Sequence, residues 1–332
     1  MSLAGDRLNN SRDNREAGRT GSVDVSVIIV SWNVRKLLRA CIQSVVSTRG
    51  NLTVQIVVVD NASHDGSAEM VCNEFPEVAL VASNANLGFS RANNIGLKRA
   101  DGRYVFFLNP DTVLHEEALI RLIAFLDDHA DFDLVGPRLL SPDGDVQWVC
   151  ARRLPSPSLI LFQALYLHRL PIIGGALLNR MIAYYDLSEN QEVEAISGAA
   201  MVGRRAVVDE IGGFDEAFLY TGEDVDLCLR LRERGSKIFY LADAAVLHFG
   251  AQSSVQASAR SEAMGVFSTG TYLRRSHGRF HAVLYRTVVQ LVQMPILVVV
   301  GLMKALLRRG SSADVHRRLA FAKAVWRWRV SE

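Results

Sequence analysis

The feature that most constrains the fold of this 332-residue chain is a set of four short apolar runs in its first third. Their residues are mostly β-branched or aromatic, and they are apolar at consecutive positions: VSVIIV (25–30), QIVVV (55–59), VALVA (78–82) and YVFFL (104–108). Strands that are buried on both faces have this composition, and such strands belong to parallel sheets covered by helices. The four runs therefore predict a parallel sheet.

Helical stretches separate these runs. Residues 34–48 place their apolar side chains on one stripe, with Asn33 as the expected N-cap and Gly50 as the expected stop. Residues 66–74 and 90–100 are two further helix candidates. The alternation of strands and helices predicts right-handed crossovers and an α/β fold with a doubly wound, mostly parallel sheet of the nucleotide-binding type.

Polar clusters follow three of the four predicted strands. The clusters are Ser31 and Asn33 after the first strand, Asp60, Asn61, Ser63 and Asp65 after the second, and Asn109 and Asp111 after the fourth. The carboxyl ends of parallel strands meet at one edge of a sheet, and open α/β sheets bind ligands there. A turn or a cap would explain any one cluster, but the agreement of all three favours a ligand site.

The glycine pattern limits what this ligand site can be. Neither Gly-x-Gly-x-x-Gly nor Gly-x-x-x-x-Gly-Lys-Ser/Thr follows the first strand, which argues against a dinucleotide site and a P-loop. Asp111 lies where a divalent cation that bridges a diphosphate would be held by one or two carboxylates. Asp60 is suited to accept a hydrogen bond from a nucleobase or a ribose.

A second group of polar residues lies far down the chain. Glu223, Asp224 and Asp226 open a predicted helix, where the helix dipole stabilises anions. Three acids within four residues exceed what a helix start requires, so one of them could be a general base with a raised pKa. His248 ends the apolar run AVLHF, and a lone histidine there is more often structural than a metal ligand.

Seven motifs, in order between about Val25 and Ser254, resemble family 2 glycosyltransferases of the rhamnosyltransferase-like branch. The motifs are VSVIIVSWN, VVVDNASHDGS, NANLGFSRANNIGL, FLNPDT, SGAAMVGRR, GGFDEAFLYTGEDVDLCLRLRERG and VLHFG. The resemblance implies a GT-A domain over residues 23–255. Within it, residues 23–112 would form the nucleotide-sugar-binding half and residues 113–255 the acceptor and catalytic half.

The resemblance also implies roles for individual residues. Donor-binding residues would be Ser31, Asn33, Asp60, Asn61, Ser63, Asn109 and Asp111. Asn109-Pro110-Asp111 stands where the family has Asp-x-Asp, so Asp111 would contact Mg²⁺ or Mn²⁺, while Asn109 replaces the first Asp. Asp224 matches the catalytic base and His248 an occasional metal ligand of the family. Glu223 and Asp226 would support the base or the acceptor.

An inverting transfer follows from this resemblance. Asp224 would deprotonate an acceptor hydroxyl, which attacks the sugar of a dTDP-, UDP- or GDP-sugar; rhamnose is the sugar that the branch suggests. The acceptor would be a glycan or a polyprenyl-linked glycan in cell-surface polysaccharide assembly. The Gln-x-x-Arg-Trp signature of processive synthases is absent, so single-sugar addition is expected. Two alternatives are a sugar nucleotidyltransferase, for which SWNVRKLL lacks the required glycines, and a non-catalytic membrane scaffold, which would have lost Asp111 or Asp224.

The two ends of the chain differ in charge and hydropathy. Residues 1–22 are polar and predict a disordered leader. The chain from Ala251 onward carries 13 Lys and Arg against three Asp and Glu, although the whole chain has a net charge of only +2. Residues 256–332 thus predict a basic helical extension, in which residues 287–307 form an apolar segment.

This extension predicts attachment to the cytoplasmic face of the cell membrane, either peripherally or through one weak transmembrane helix. A buried helix hairpin is the alternative. Scattered cysteines without Cys-x-x-Cys spacing fit the reduced cytosol. No nucleic-acid partner is expected. The interrupted apolar stretch 158–185 could line the entrance for the acceptor.

Overall fold

The computed structural model describes residues 23–170, 185–218, 221–250, 259–306 and 320–327. The predicted leader, residues 1–22, lies outside them. The strands are β1 (Val25–Ser31), β2 (Val54–Asp60), β3 (Ala79–Ala82), β4 (Tyr104–Leu108), β5 (Thr112–Leu114), β6 (Phe132–Leu140), β7 (Ala151–Arg152), β8 (Gln191–Val193), β9 (Ala195–Ile196), β10 (Ala200–Arg204) and β11 (Lys237–His248). The α-helices are α1 (Arg35–Thr48), α2 (Ser67–Glu74), α3 (Phe89–Leu97), α4 (Ala118–Asp128), α5 (Pro157–Ala164), α6 (Arg205–Glu210), α7 (Glu223–Glu233), α8 (Ala259–His277), α9 (Arg279–Val288) and α10 (Met294–Leu306).

Within the described residues, nine strands form one mixed sheet. Its order is β3-β2-β1-β4-β10-β6-β11-β5, and β8 pairs with β11 off this path. The first four strands are parallel to one another, as the apolar runs predict. The strands that follow β4 add β10 and β5 in antiparallel pairings and β6 parallel to β11. The sheet therefore continues from the predicted nucleotide-binding half into the acceptor half.

Both faces of the parallel region are covered, which explains its continuous apolar runs. Alternate side chains of β2 enter two apolar clusters: Ile56 and Val58 join the main core, whereas Val57 and Val59 pack with Ala92 of α3. β3 differs from the prediction that all four strands are buried. Its residues are half-buried or exposed, because it is the outermost strand of the sheet.

The start of α1 also differs from the prediction. Val34, not Asn33, occupies the N-cap position, and its side chain caps nothing. The backbone N–H of Arg35 instead donates to Asp65 Oδ2 at 2.7 Å, so the cap comes from the loop after β2. Asn33 has a φ of +54° and accepts a hydrogen bond from the His64 N–H at 2.7 Å. Asn33 and Asp65 thus join the loops that follow β1 and β2.

The C-terminal helices pack on the second half of the domain through a separate apolar cluster. The described members of this cluster include Ile160 of α5, Val225 and Leu229 of α7, Leu273 of α8 and Tyr285 of α9. Burial of these side chains attaches α8 and α9 to the helix that carries Asp224. The C-terminal extension therefore packs against the predicted acceptor and catalytic half, residues 113–255, and is not separate from it.

Residues 279–300 of the C-terminal region form the one described helix that is long and apolar enough to cross a membrane. This continuous segment comprises α9, a π-helical turn at Val289–Gln293 and the first part of α10. Several of its large apolar side chains are exposed, among them Phe280, Leu291 and Val299. Residue 307 of the predicted apolar segment 287–307 lies outside the described residues.

Candidate active site

The carboxyl ends of β1 and β2 present two buried oxygen atoms without partners. Ser31 and Asp60 are register neighbours in the parallel pair, and both side chains are buried. Within the described part of the chain, Ser31 Oγ and Asp60 Oδ1 have no hydrogen-bond partner. Buried polar atoms without partners are rare in proteins because their desolvation is costly. Their position at a sheet edge is consistent with a ligand that supplies the missing hydrogen bonds.

The loops around Ser31 and Asp60 are fixed by hydrogen bonds between the predicted donor residues. The Ser63 N–H donates to Asp60 Oδ2 at 3.0 Å, and Ser63 Oγ accepts from the Asn33 N–H at 3.0 Å. Ala62, like Asn33, has a positive φ, which is costly for residues other than glycine and often marks functional sites. Asp60 therefore reaches the edge with one oxygen held by the loop and the other free of protein partners in the described chain.

Asn61 has a supporting role at this edge. Its side chain donates to Asn86 Oδ1 at 3.0 Å and accepts from the Leu87 N–H at 2.7 Å. Leu87 and Gly88 lead directly into α3. Asn61 is buried and joins the β2 loop to the loop before α3, so it positions the edge through contacts within the protein. Donor binding by Asn61 stays a prediction.

Asp111 and His248 lie side by side, although 136 residues separate them in the chain. Asp111 follows Asn109 and Pro110 and immediately precedes β5, which pairs with the end of β11. His248 Nε2 is 3.5 Å from Asp111 Oδ1, and both side chains are almost entirely buried. Strand β11 ends at His248 and thus places this histidine beside Asp111, the carboxylate that the sequence analysis singles out.

The orientation of the His248 ring follows from Gln147. Gln147 Nε2 donates to the His248 carbonyl oxygen at 2.8 Å, which turns Gln147 Oε1 toward the ring. His248 Nδ1 lies 2.8 Å from that Oε1. Since Oε1 can only accept, Nδ1 carries the proton in the neutral ring, and the lone pair of Nε2 faces Asp111. Metal-binding histidines are commonly oriented in this way.

Asp111 and His248 together fit part of a divalent cation site. An Asp oxygen and an imidazole nitrogen are both metal ligands, and here they converge on one point. Within the described residues, no group of three or more His, Cys, Asp or Glu side chains could hold a metal. A cation at this position would therefore need further ligands from the donor or from water. Mg²⁺ in nucleotide enzymes is often held in this manner.

Asp224 lies at the start of α7, but both of its oxygens are occupied. Arg152 Nη2 donates to Oδ2 at 2.5 Å, and the Gly198 N–H donates to the same oxygen at 3.0 Å. The Val225 N–H donates to Oδ1 at 2.7 Å. Two backbone N–H groups and one guanidinium thus hold the carboxylate in one orientation. A carboxylate has about four lone-pair sites, so these three donors leave one site, on Oδ1, for a proton or a further donor.

A short loop connects Asp224 to the Asn109–Asp111 segment. The Asn109 N–H donates to the Ala199 carbonyl at 2.9 Å, and Gly198, the preceding residue, donates to Asp224. A Cβ on Gly198 would lie 3.1 Å from the Asp224 Cβ, so a larger residue would displace the carboxylate. The SGAA motif is therefore hydrogen-bonded both to the segment that carries the predicted metal ligand and to the predicted base.

Glu223 and Asp226 have different surroundings from Asp224. Glu223 is buried, and within the described chain its Oε2 has no partner. Burial, and then the charge of Asp224, raise the pKa of Glu223 above its ordinary value. The acid with the raised pKa is thus Glu223, a neighbour of the predicted base.

Asp226 is a structural anchor. It is fully buried between Arg230, whose Nε lies 2.7 Å away, and Arg275 of α8, which also pairs with Asp215. This ion-pair network connects the C-terminal helix α8 to α7. Because both arginines enclose Asp226, its carboxylate cannot contact an acceptor in this arrangement. Its position agrees with the predicted supporting role and not with contact to the acceptor.

Sequence reasoning missed two residues of the site, Arg152 and Gln147. Both lie in the segment DVQWVCARRLPSP, whose strands and turns are too short to give a periodic pattern. Arg152 belongs to the two-residue strand β7, which pairs with β9 apart from the main sheet. The adjacent arginines Arg152 and Arg153 were the one available signal in this largely apolar stretch, and they did not indicate which residue either would contact.

Comparison with known proteins places this chain in a family. Residues 26–212, more than half of the chain, match the model of the family described as glycosyl transferase family 2. An N-acetylglucosaminyl-diphospho-decaprenol L-rhamnosyltransferase of Mycobacterium tuberculosis is 29% identical over 238 residues, which cover 68% of this chain and 76% of the relative.

Other relatives take part in the synthesis of different polymers. The minor teichoic acid biosynthesis protein GgaB of Bacillus subtilis is 35% identical over 127 residues, which cover 36% of this chain but only 14% of GgaB. The low-salt glycan biosynthesis hexosyltransferase Agl10 of Haloferax volcanii is 24% identical, over 65% of this chain and 64% of the relative.

Two solved structures share the fold. S. aureus TarS 1-349 in complex with UDP has a TM-score of 0.51 at 16% identity and covers 82% of this chain and 71% of that one. GalNAc-T7 with UDP, GalNAc and Mn²⁺ also has a TM-score of 0.51, at 17% identity, and covers 69% of this chain and 44% of that one. The predicted GT-A fold is thereby confirmed.

Proposed function

The chain belongs to glycosyl transferase family 2 and is a glycosyltransferase, and from that premise we propose that it belongs to the rhamnosyltransferase-like branch and is inverting, metal-dependent and non-processive. It moves one sugar from a nucleoside-diphosphate donor to a glycan or a lipid-linked glycan. The polymer is a cell-surface polysaccharide, the class to which the polymers named for several relatives belong.

One observation carries this proposal. The SGAA loop donates to Asp224 through Gly198 and accepts from Asn109 through Ala199, so a metal-binding edge and a general base flank the same loop. Inverting transfer needs this arrangement, because the hydroxyl attacks the sugar from the side opposite the departing diphosphate. No covalent intermediate is required.

The donor would occupy the edge formed by β1, β2 and the Asn109–Asp111 segment. Asp60 Oδ1 and Ser31 Oγ would accept or donate hydrogen bonds to the base and the ribose, which would satisfy both unpartnered atoms. Asp111 and His248 would hold Mg²⁺ or Mn²⁺. Such a cation supplies charge stabilisation of the departing diphosphate. The nearly complete burial of both ligands keeps their orientation fixed.

The acceptor hydroxyl would give its proton to Asp224. In the present arrangement Arg152 donates to Asp224 Oδ2, so a guanidinium engages one oxygen of the proposed base. Arg152 Nε is buried and lacks a hydrogen-bond partner among the described residues, so the guanidinium is not anchored on that side. We expect Arg152 to turn from Asp224 to an anionic group of the bound substrates. The base then becomes available when both substrates are present.

The C-terminal helices would place the enzyme at the cytoplasmic face of the cell membrane. Exposed apolar side chains on α9, the π-helical turn and α10 include Phe280, Leu291, Val299 and Met303. The basic charge of this part of the chain would attract anionic lipid headgroups. Peripheral attachment explains why the same helices also pack against α5 and α7. A donor site on the cytoplasmic side has access to nucleotide sugars.

Calorimetric titration of the full chain with dTDP-, UDP- and GDP-sugars, with and without Mn²⁺, tests the proposal. We expect one nucleotide to bind, and to bind more weakly when EDTA removes the metal. Addition of acceptor should then release that nucleoside diphosphate with inversion at the anomeric carbon, which NMR of the product measures. Failure of every nucleotide to bind with Mn²⁺ would contradict the proposal and would favour the alternative of a non-catalytic scaffold.

A further inference from the structure

A cavity of about 530 Å³ lies beside the start of α7, away from the donor edge. Gly222 and Val225, on either side of Asp224, form part of its wall. Pro155, three residues after Arg152, lines it as well. The opposite wall comes from α8, α9 and the π-helical turn. The cavity therefore borders the catalytic helix on one side and the C-terminal extension on the other.

The chemistry of the lining suits a phosphate-bearing polar group. Neither Asp nor Glu occurs among the described residues that line the cavity. Arg169 and His168 contribute nitrogen donors, and Ser268 contributes a hydroxyl group. The hydroxyl groups of Tyr272 and Thr269 also line the cavity, but they donate to the carbonyl oxygens of Pro155 and Gly265. Anions are recognised by such combinations of guanidinium and neutral donors, and a nearby carboxylate would oppose their binding.

Two lining atoms are buried without a partner among the described residues, namely His168 Nδ1 and Gln293 Oε1. Gln293 ends the π-helical turn Val289–Gln293, and insertions of this kind in helices occur often at functional sites. Tyr166, also in the lining, has a φ of +58°, which is unfavourable for a residue with a side chain. These three features concentrate around one cavity, as expected where a ligand completes the hydrogen bonding.

The surface near the 166–169 segment of the wall is apolar. Leu165, Leu167 and Leu170 are exposed, and Leu291 of the π-helical turn is 64% exposed. These side chains come from the two sides of the cavity, the α5 segment and the C-terminal helices. The cavity itself combines polar groups with apolar residues such as Ile160 and Val225. Together with the exposed leucines, this lining matches an amphiphile that has an anionic head and a hydrocarbon chain.

We propose that this cavity binds the phosphate-bearing head of a lipid-linked acceptor, whose hydrocarbon chain leaves across the exposed leucines toward the membrane. Arg169 and His168 would contact the phosphate oxygens, and Gln293 would accept a hydrogen bond from the head group. The proposal rests on the proposed function, since it assigns the acceptor class to the same active site. The acceptor sugar would then extend past Gly222 toward Asp224.

Binding of geranyl diphosphate, a water-soluble amphiphile of this class, tests the proposal. Calorimetry uses the purified full chain in EDTA, so that the metal-dependent donor edge does not contribute. We expect binding of geranyl diphosphate and binding at least about tenfold weaker for inorganic pyrophosphate and for geraniol, because each lacks half of the amphiphile. Equal binding of pyrophosphate would indicate a site for free phosphate and would overturn the lipid assignment.

Two variants locate the binding in this cavity. Arg169→Glu reverses an exposed charge, and we expect it to weaken geranyl diphosphate binding by about tenfold or more. Gln163→Trp places a large ring at an exposed helical position in the lining and should abolish binding by filling the space. Lys98→Glu, at an exposed position, and Gln43→Trp, at an exposed helical position, both lie outside the lining and are the matched controls for charge and for size.

The outcomes separate this proposal from the proposed function. If both cavity variants bind geranyl diphosphate as the unchanged protein does, or if the unchanged protein does not bind it, the cavity is not the acceptor site. Titration of the same proteins with the donor and Mn²⁺ then shows whether the donor edge is intact. Donor binding without geranyl diphosphate binding would overturn only the cavity proposal, whereas loss of both would contradict the proposed function too.

Discussion

The donor edge and the start of α7 both present carboxylates, but they differ in how the oxygens are occupied. Asp60 keeps one oxygen without a partner in the described chain, and Asp111 Oδ1 lies 3.5 Å from His248 Nε2. Asp224 accepts hydrogen bonds on both oxygens, including one from Arg152. The proposed donor edge thus has an oxygen ready for a ligand, whereas the proposed base is held by donors of the protein. From this comparison we expect donor binding and base activation to be separate events.

The largest effect that tests this comparison is expected for Asp224→Asn. An amide cannot accept the acceptor proton, so transfer should fall by about a thousandfold. Donor affinity, measured by calorimetry with Mn²⁺, should remain nearly unchanged because the donor edge lies on other strands. Asp209→Asn, at a partly exposed surface ion pair, is the control. Unchanged turnover in the Asp224 variant would remove this residue as the base.

The next effect concerns the donor edge itself. Asp111→Ala removes one of two converging metal ligands, and we expect metal-dependent donor binding to weaken by about a hundredfold. Binding without Mn²⁺ should change little, because Asp60 and Ser31 are untouched. Asp143→Ala, in an exposed turn, should leave donor binding unchanged. Normal donor affinity of the Asp111 variant in Mn²⁺ would exclude a metal role.

A smaller effect is expected for Arg152→Ala. This change removes the guanidinium that hydrogen-bonds to Asp224 and that, among the described residues, Asp60 and Asp111 lack. Transfer should fall by about tenfold, since an anionic group loses its partner. Hydrolysis of the donor by water should rise, because the base is no longer held when the acceptor is absent. The measured quantity is the ratio of released sugar to transferred sugar.

Arg152→Lys and Arg153→Ala complete this experiment. Lysine keeps the positive charge and should restore part of the transfer, whereas alanine at the exposed neighbour Arg153 should leave the ratio of hydrolysis to transfer unchanged. A ratio that is the same in all four proteins would show that Arg152 does not control the base.

The smallest effect is a pH-dependent change in stability from Glu223→Gln. The pKa of Glu223 is raised in the folded protein, so the folded state retains a proton that the unfolded state releases above about pH 4.5. The free energy of unfolding therefore falls as the pH rises from about 4.5 to about 8. The glutamine variant lacks this loss, and its free energy of unfolding should exceed that of the unchanged protein by about 2 kcal/mol at pH 8.

Urea unfolding at pH 4 and at pH 8 measures this difference. At pH 4 the carboxyl group is largely protonated in both states, so the two proteins should be nearly equally stable. Glu117→Gln, at an exposed position on the surface, provides the control without a pH-dependent difference. A gain of the same size at both pH values would mean that the charge of Glu223 is not its cause.

The donor edge was largely predictable because its signals are local. Continuous apolar runs predicted the parallel strands, and the strand ends then placed Ser31, Asp60 and Asp111 at one edge of the sheet. The N-cap of α1 was predicted wrongly, because a local rule selected Asn33 while a loop from after β2 supplied Asp65. Caps from distant loops leave no trace in the spacing of neighbouring residues.

The start of α7 was less predictable, although its acids were visible. The sequence placed Glu223, Asp224 and Asp226 together, and only the resemblance singled out Asp224. Burial and partners separate their surroundings: Glu223 lacks a partner on one oxygen among the described residues, Asp224 is held by Arg152, and Asp226 pairs with Arg230 and Arg275. Arg230 lies on α7 itself, but Arg152 and Arg275 come from β7 and α8, which are far away in the chain.

The sequence by itself determined the class of fold and the family, and it predicted an edge at which ligands bind, because strand composition and motif order are local properties of the chain. The tertiary structure alone decided which atoms meet: His248 with Asp111, Arg152 with Asp224, and the C-terminal helices with α7. The physical reason is that hydrogen bonds and ion pairs act over a few ångströms. Residues that are more than 70 positions apart reach that range only after strands and helices have packed.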